Sequence, residues 1–250
     1  LEELLQNRIV NKDELNRSKQ LINLIIKSKI SKYNLKVQNE IKLPEEASKK
    51  KIIAILGQVE SDNSIIYGVP QNTIKKTNYA LVKQVRKDNP DAFIIYKPHP
   101  DLESGLRKKS FSESDINKLA DHIATKTSLD DVFRKVDEVA VFTSLGGFEA
   151  LIRGLSVTTY GLPFYACWGL TKDKIKNHVC LKRRTRKLSL EELIFISLIE
   201  YPFYYSLKFD CFTEIENIID ELHSQKVKRE NIEQFVFKYW GFLKDLILRI

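Results

Sequence analysis

Residues 52–57 of the chain read Ile-Ile-Ala-Ile-Leu-Gly, and this short apolar run decides the fold. A continuous apolar run of this length that stops at a glycine is typical of a strand buried on both faces of a parallel sheet. A second such run lies at residues 92–96, and a helical pattern over about residues 73–87 separates the two and stops before Asn89 and Pro90. The stretch therefore predicts a strand–helix–strand unit.

The same alternation continues toward the C-terminus. Ser128 and Asp131 predict a helix start, and this helix leads to a strand at residues 139–142, a helix through Arg153 and a strand at residues 157–160. Alternating strands and helices predict a doubly wound, Rossmann-like α/β sheet over about residues 50–170. Ligands bind such sheets beyond the carboxyl ends of the strands, so the polar residues that follow each strand are the candidates for a site.

Helices are predicted on both sides of the sheet region. The spacing of a capping box occurs at Asn11 and Glu14, at Ser189 and Glu192, and at Thr213 and Glu216, each before a helical apolar pattern. A last helical pattern carries the aromatic residues between 235 and 242. We divide the chain into an N-terminal helix and connector (residues 1–49), a Rossmann-like domain (residues 50–187) and a C-terminal helical segment (residues 188–250).

Composition and charge limit the classes of protein to consider. No run approaches the roughly 20 apolar residues that span a bilayer, and the first residues lack the layout of a signal peptide, so we expect a cytosolic protein. Cys167, Cys180 and Cys211 have no close pair, which fits neither a disulfide framework nor a zinc site. The net charge of +8 suits anionic small ligands, an anionic membrane surface or nucleic acid. The chain contains no methionine, so we expect a fragment or a processed chain.

The first polar cluster, residues 57–64, follows the first strand directly. It contains Gln58, Glu60, Asp62 and Ser64. A carboxylate in this loop can act as a nucleophile or a base. The alternative is structural, since Asp62 and Ser64 are also good residues to cap the next helix or turn.

The second cluster, residues 97–101, reads Lys-Pro-His-Pro-Asp at the end of the next strand. The prolines fix the backbone on both sides of His99, and this rigid presentation suits proton donation to a leaving phosphate. Lys97 adds a fixed positive charge. The alternative is a histidine that hydrogen-bonds the turn.

The third cluster, residues 143–149, joins a strand to a helix. Thr143 and Ser144 precede the helix, Gly146 and Gly147 lie in its first turn, and Glu149 follows. Exposed amides and the helix dipole make such a turn an anion site, although it matches neither a Walker loop nor the three-glycine dinucleotide fingerprint. Glu149 can accept hydrogen bonds from a ribose. The alternative is structural, since a carboxylate near the start of a helix interacts favourably with the helix dipole.

Two further features are weaker. The aromatic loop around Trp168 can wall a sugar or base pocket, but aromatic residues more often pack in a core. Arg183 and Arg184 can hold phosphates or carboxylates, but a short basic run is more often a solvated face.

Together these motifs resemble the bacterial β-Kdo glycosyltransferases of capsule polysaccharide assembly, of the KpsC/LipA type. The resemblance covers most of the chain, in order and spacing, through residues 31–34, 57–64, 96–101, 143–151, 160–171 and 183–193. It implies a GT-B-like enzyme that transfers Kdo from CMP-β-Kdo to a lipid-linked acceptor, with retention of configuration. No metal ion or other cofactor is expected, and the chain has no convincing Asp-X-Asp metal loop.

The resemblance also implies roles for individual residues. Asp62 is the expected nucleophile, and His99 is expected to assist the departure of CMP. Thr143 and Ser144 are expected to bind the phosphate or the Kdo carboxylate, and Glu149 the cytidine ribose. Further candidates for donor or anion binding, or for a base, are Gln58, Glu60, Ser64, Lys97, Gly146, Gly147, Trp168, Arg183 and Arg184.

Two positions depart from the family pattern: Ser61 replaces a frequent second acid, and Cys167 replaces a usual glycine. A GT-B enzyme has two Rossmann-like domains and only the nucleotide-binding one is evident. We therefore expect a second domain or transferase module as a partner, and an acceptor domain that is absent or very reduced.

Three functions remain open at this point. The first is a β-Kdo transferase held at the cytoplasmic face of the inner membrane by its basic charge, near a glycolipid acceptor. The second is another CMP-sugar transferase of the sialyltransferase kind. The third is a nucleotide-sugar-binding module without catalysis of its own. Nucleic acid is not an expected partner, because the basic residues form no recognisable aromatic and arginine motif.

Overall fold

The computed structural model describes residues 1–29, 41–103 and 113–227. The motif at residues 31–34 and the helical pattern at residues 235–246 lie outside them. The chain forms two compact units, Leu1–Pro202 and Phe203–Ile250. The three-part division drawn from the sequence remains a prediction.

The first unit is built on a six-stranded parallel sheet. Its strands are β1 (Ile52–Leu56), β2 (Phe93–Lys97), β3 (His122–Ile123), β4 (Glu138–Val141), β5 (Ser156–Thr159) and β6 (Lys172–Asp173). They lie in the order β3-β2-β1-β4-β5-β6, so the order reverses between β1 and β4. This is the Rossmann arrangement, in which the reversal opens a crevice at the carboxyl ends of the strands. The prediction of a doubly wound α/β fold is confirmed.

Nine helices of the first unit complete the layers among its described residues. They are α1 (Glu2–Asn7), α2 (Lys12–Ser28), α3 (Asn63–Gly68), α4 (Asn78–Asp88), α5 (Pro100–Glu103), α6 (Glu113–Asn117), α7 (Leu129–Phe133), α8 (Leu145–Ile152) and α9 (Leu190–Ile194). Short 3₁₀ helices span Glu45–Lys49 and Val179–Lys182, and a π-helix, Phe195–Glu200, continues α9.

Both faces of β1 are buried, which explains its continuous apolar run. Ile53 and Ile55 belong to the core cluster that also holds Leu81 and Val85 of α4. The alternate residues point to the other face. There α8 approaches so closely that a Cβ on Gly146 would lie 2.5 Å from Leu56 Cδ1.

The boundaries differ from prediction in two ways. Helix α4 begins at Asn78 rather than near residue 73, because the Thr77 side chain accepts a hydrogen bond from the Ala80 N–H and caps the helix there. Strands β3 and β6 have two residues each, which is too short to produce an apolar pattern. The capping boxes at Asn11 and at Ser189 are both confirmed.

A buried carboxylate joins the strands near their amino ends. Glu138, at the start of β4, is 3% exposed. It accepts hydrogen bonds from Lys172 Nζ (2.6 Å), Thr158 Oγ1 (2.6 Å) and Lys51 Nζ (2.9 Å). Burial by itself would raise the pKa of Glu138, but these donors lower the pKa to about 2. The carboxylate therefore stays ionised and links β1, β4, β5 and β6.

The second unit contains a hairpin and a helix among its described residues. Strands β7 (Tyr204–Ser206) and β8 (Cys211–Thr213) pair antiparallel, and helix α10 spans Ile215–Val227. Within the described residues, no helix of either unit is long and apolar enough to cross a membrane.

Candidate functional site

A cleft lies beyond the carboxyl ends of β1, β2 and β4, where the strand order reverses. Its volume is about 220 Å³. Its lining consists of Leu56, Gly57, Gln58, Asp62, Ser64, Lys97, Pro98, His99, Pro100, Thr127, Leu129, Thr143, Ser144, Leu145, Gly146 and Glu149. The three polar clusters read from the sequence thus meet at one place.

Asp62 lies at the first wall of the cleft, at the N-cap position of α3. Its main-chain carbonyl accepts hydrogen bonds from Ile65 and Ile66. Its carboxylate, however, makes no capping hydrogen bond. The position is therefore that of a cap, but the carboxylate is not used as one and lines the cleft.

Gln58 and Thr143 join this wall to the loop after β4. The Thr143 N–H donates to Gln58 Oε1 (2.8 Å), and Gln58 Nε2 donates to Thr143 Oγ1 (3.1 Å). Because one group is a donor and the other an acceptor, this pairing fixes the orientation of the Gln58 amide. The two loops are held in register across the crevice.

His99 lies at the second wall, and its side chain is 13% exposed. The Asp101 N–H donates to His99 Nδ1 at 3.2 Å. In the neutral ring the remaining proton is therefore on Nε2. The turn does hydrogen-bond the histidine, as in the structural alternative given above. The neutral ring still carries an N–H donor at Nε2.

Lys97 is buried beneath this loop and is already paired. Its Nζ donates to Glu103 Oε1 (2.6 Å) and to the carbonyl of Pro98 (3.2 Å). Burial lowers the pKa of Lys97, while Glu103 acts in the opposite direction. Glu103 also accepts from the Lys126 N–H at 3.0 Å. Lys97 therefore stabilises the loop that carries His99 through these two hydrogen bonds.

The third wall is the start of α8. Ser144 caps this helix, since its Oγ accepts from the Gly146 N–H at 3.1 Å. The Tyr165 hydroxyl donates to the Ser144 carbonyl and holds the turn from below. Glu149 lies one turn further on, 8% exposed, and lines the cleft. The helix start provides the positive end of a dipole beside the carboxylate of Asp62 and the ring of His99.

Glu60 and Gly147 do not line the cleft, although the sequence nominated both. Glu60 Oε1 accepts hydrogen bonds from Asn78 N (2.7 Å) and Asn78 Nδ2 (3.1 Å), behind the first wall. A Cβ on Gly147 would collide with the hydroxyl of Tyr165. This glycine therefore permits close packing of α8, and the structure shows no opening to a ligand there.

The aromatic loop and the arginines also lie away from the cleft. Trp168 is fully buried, and its Nε1 donates to the Phe164 carbonyl at 2.8 Å. Arg184 stacks over the Trp168 ring at 5.7 Å and donates to the carbonyls of Pro163 and Ala166. Arg183 pairs with Glu2 of α1 at 2.8 Å. These side chains tie the loop and α1 to the domain.

Cys167, the second departure from the family pattern, has a φ of +68°. This left-handed conformation favours glycine, which gives a physical reason for the usual residue at that position. Burial raises the pKa of the Cys167 thiol to about 12. The thiol is thus a packing group beside Trp168.

Sequence reasoning missed three contributors to the site. Thr127 and Leu129 line the cleft after β3, the strand too short to be predicted. Asn78 lies behind the first wall and is 1% exposed. The sequence carries no signal for it, because an asparagine at the start of a helix is common. Within the described parts of the chain, no cluster of His, Cys, Asp or Glu could hold a metal ion.

The fold and the position of the cleft define a class, the GT-B-like α/β glycosyltransferase domains. The structure is similar to the β-Kdo 2,7 transferase of Thermosulfurimonas dismutans KpsC, with a TM-score of 0.74 and 40% identity, over 90% of this chain and 67% of that one. It is also similar to the β-Kdo 2,4 transferase of the same KpsC, with a TM-score of 0.71 and 25% identity, over 89% of this chain and 67% of that one.

The sequence gives a consistent result. The profile of the capsule polysaccharide biosynthesis protein family matches residues 2–204. The capsule polysaccharide modification protein LipA of Neisseria meningitidis serogroup A is 39% identical over 231 residues, which are 92% of this chain and 31% of LipA. The chain belongs to the capsule polysaccharide biosynthesis protein family, and it spans about a third of the length of this curated relative.

Proposed function

We propose that this chain is the donor-binding part of a retaining β-Kdo transferase of capsule polysaccharide biosynthesis, which transfers Kdo from CMP-β-Kdo to a lipid-linked acceptor. The observation that carries the proposal is the carboxylate of Asp62. It occupies a helix cap without capping, and it lines a cleft shared with His99 and the start of α8. Similarity to the two KpsC transferases supports the choice of donor.

In the first step, an oxygen of Asp62 attacks the anomeric carbon of Kdo. The bond between that carbon and the phosphate oxygen breaks, and its electron pair leaves with CMP. The His99 Nε2–H donates a hydrogen bond to the departing phosphate and stabilises the negative charge that develops there. A covalent Kdo ester of Asp62 and free CMP result.

In the second step, a hydroxyl of the acceptor attacks the same carbon. The ester bond breaks, the electron pair returns to the Asp62 carboxylate, and the hydroxyl proton is released to solvent. Two inversions give net retention of the β configuration. The prolines around His99 and the ion pair of Lys97 with Glu103 keep the ring in place beside the phosphate.

The remaining cleft residues bind the donor. Thr143, Ser144 and the start of α8 hold the phosphate, because hydroxyls and the helix dipole favour an anion. Glu149 accepts hydrogen bonds from the ribose. Gln58, Ser64, Lys97 and Gly146 shape the walls, and we assign Glu60, Gly147, Trp168, Arg183 and Arg184 to support from outside the cleft.

We infer a 2,7 linkage in the product, since identity is 40% to the 2,7 transferase and 25% to the 2,4 transferase. The acceptor then presents a free hydroxyl at position 7. The basic charge of the chain would hold it near anionic lipid, and a second domain or transferase module would complete the acceptor side.

Titration with CMP, UMP and GMP, followed by an assay of transfer from CMP-Kdo, tests this function. We expect CMP to bind in preference to the other nucleotides, and Asp62→Asn to keep CMP binding while losing transfer. CMP binding with equal transfer by parent and Asp62→Asn would contradict the role of Asp62. CMP binding with no transfer by the parent beside a partner module would favour a binding role, and transfer of sialic acid in place of Kdo would favour the other CMP-sugar donor.

A further inference from the structure

Asn78 is a buried polar residue that no part of the transfer mechanism uses. It lies in the first turn of α4, and its side chain lies alongside the main chain of Gln58. The Gln58 N–H donates to Asn78 Oδ1 (2.9 Å), and Asn78 Nδ2 donates to the Gln58 carbonyl (2.8 Å). The amide thus extends the hydrogen bonding of β1 beyond the end of the strand.

Glu60 holds Asn78 in this orientation. Its Oε1 accepts from the Asn78 main-chain N–H at 2.7 Å and from Nδ2 at 3.1 Å. Because Nδ2 must donate to both Glu60 and Gln58, Oδ1 is turned toward the Gln58 N–H. A side chain with two donors and one acceptor is needed here, and an aspartate of the same shape would supply only acceptors.

The effect of Asn78 reaches the cleft through Gln58. With the Gln58 main chain fixed, its side-chain Oε1 meets the Thr143 N–H and its Nε2 meets Thr143 Oγ1. The Thr143 methyl is held from the other side by two glycines: a Cβ on Gly68 would lie 2.8 Å from Thr143 Cγ2, and one on Gly161 would lie 2.9 Å from it. The Thr143 side chain is therefore fixed on both sides.

This arrangement decides which hydrogen bond Thr143 can still make. Its Oγ1 already accepts from Gln58, so its hydroxyl proton remains to be donated. None of the described residues accepts that proton, and Thr143 lines the cleft. A hydroxyl that still has its proton to donate suits an anionic oxygen.

We propose that Asn78 is a positioning residue, which acts through Gln58 to direct the Thr143 hydroxyl proton into the cleft, toward an anionic oxygen of the ligand. The inference rests on the proposed function, where that oxygen belongs to the phosphate of CMP.

A double-mutant cycle on CMP affinity tests the relay. Aspartate is favoured in the first turn of a helix, so Asn78→Asp keeps α4 while it removes the amide donors. We expect Asn78→Asp and Thr143→Val each to weaken CMP binding by about tenfold, the order of one charge-assisted hydrogen bond. Because both act on one hydrogen bond, the double variant should bind no more weakly than Thr143→Val. If the two losses of CMP affinity multiply in the double variant, the proposal is wrong.

Asn89→Asp is the matched control, since Asn89 lies at the other end of α4 and its Nδ2 donates to the Val85 carbonyl at 3.0 Å. It should leave CMP affinity at the parent value. If Asn78→Asp does not fold, Asn78→Ser takes its place in the cycle.

A second measurement needs no ligand. Hydrogen exchange of the Thr143 amide, followed by NMR, should be about tenfold faster in Asn78→Asp than in the parent and unchanged in Asn89→Asp. Unchanged exchange in Asn78→Asp would overturn the relay even if CMP binds. If the parent binds no CMP, the proposed function fails, and the exchange rates still decide whether Asn78 fixes Thr143.

Discussion

The two ends of the parallel sheet carry carboxylates that differ in their hydrogen bonding. At the amino end, Glu138 is buried and accepts hydrogen bonds from two lysines and a threonine. At the carboxyl end, the Asp62 side chain makes no capping bond and no ion pair with the described residues. A carboxylate whose lone pairs are all used stabilises the fold, whereas one left unpaired beside a cleft is available for chemistry.

The variant Asp62→Asn tests this difference most severely. The account predicts a loss of Kdo transfer on the order of a thousandfold or more, because the nucleophile is gone and the cleft is otherwise intact. Thermal unfolding should stay at the parent temperature, since the carboxylate makes no structural bond. Steady-state assays and melting curves on the same preparation check both parts, and Asp91→Asn, at an exposed turn, is the matched control.

The opposite variant is Glu138→Gln. It should lower the free energy of unfolding by about 2–3 kcal/mol near neutral pH, from the lowered pKa of the carboxylate. Transfer per folded molecule should be unchanged, because Glu138 is at the far end of the sheet. Urea denaturation gives the free energy of unfolding. A loss of transfer per folded molecule together with the loss of stability would remove the distinction between the two ends.

The same variant sharpens the comparison by its pH dependence. The pKa of Glu138 is lowered from 4.5 to about 2, so its stabilisation is complete above 4.5 and is lost as the pH falls toward 2. The parent should therefore lose stability over this range more steeply than Glu138→Gln. Parallel curves of unfolding free energy against pH would show that the carboxylate is not stabilised by its neighbours.

A smaller effect is expected from the packing of Thr143. Gly161→Ala would place a Cβ 2.9 Å from both Thr143 Cγ2 and the Phe142 carbonyl. The substitution should cost roughly 1–3 kcal/mol and weaken CMP binding as Thr143 shifts. Gly154→Ala is the control, because nothing lies within 4 Å of the added carbon there. It carries only the strain of a positive φ, so its CMP affinity should not change.

The smallest effect is expected at Arg183. Its ion pair with Glu2 is exposed, and such pairs contribute little to stability because solvent screens them. Arg183→Gln should leave transfer and CMP affinity unchanged and should shift the melting temperature only slightly. A marked loss of CMP binding would instead support the role in donor binding that the sequence predicted for Arg183.

The sequence was sufficient for strands β1, β2, β4 and β5 and for the place of the cleft, because apolar runs and the polar residues that follow them are local signals. Strands β3 and β6 were not predictable, since two residues carry no periodicity. Trp168 and Arg184 were ambiguous because the pattern does not tell whether an aromatic ring faces the core. Asn78 was missed because its partners, Gln58 and Glu60, are brought to it only by the fold.

The central claim is that Asp62 forms a covalent adduct, and intact-mass spectrometry after incubation with freshly generated CMP-Kdo tests it most directly. The account predicts a mass increase of one Kdo residue on the parent and on Asp91→Asn, and none on Asp62→Asn or Asp62→Ala. An adduct of the same mass on Asp62→Ala, or transfer by the parent with no adduct under conditions that trap the intermediate, would contradict it.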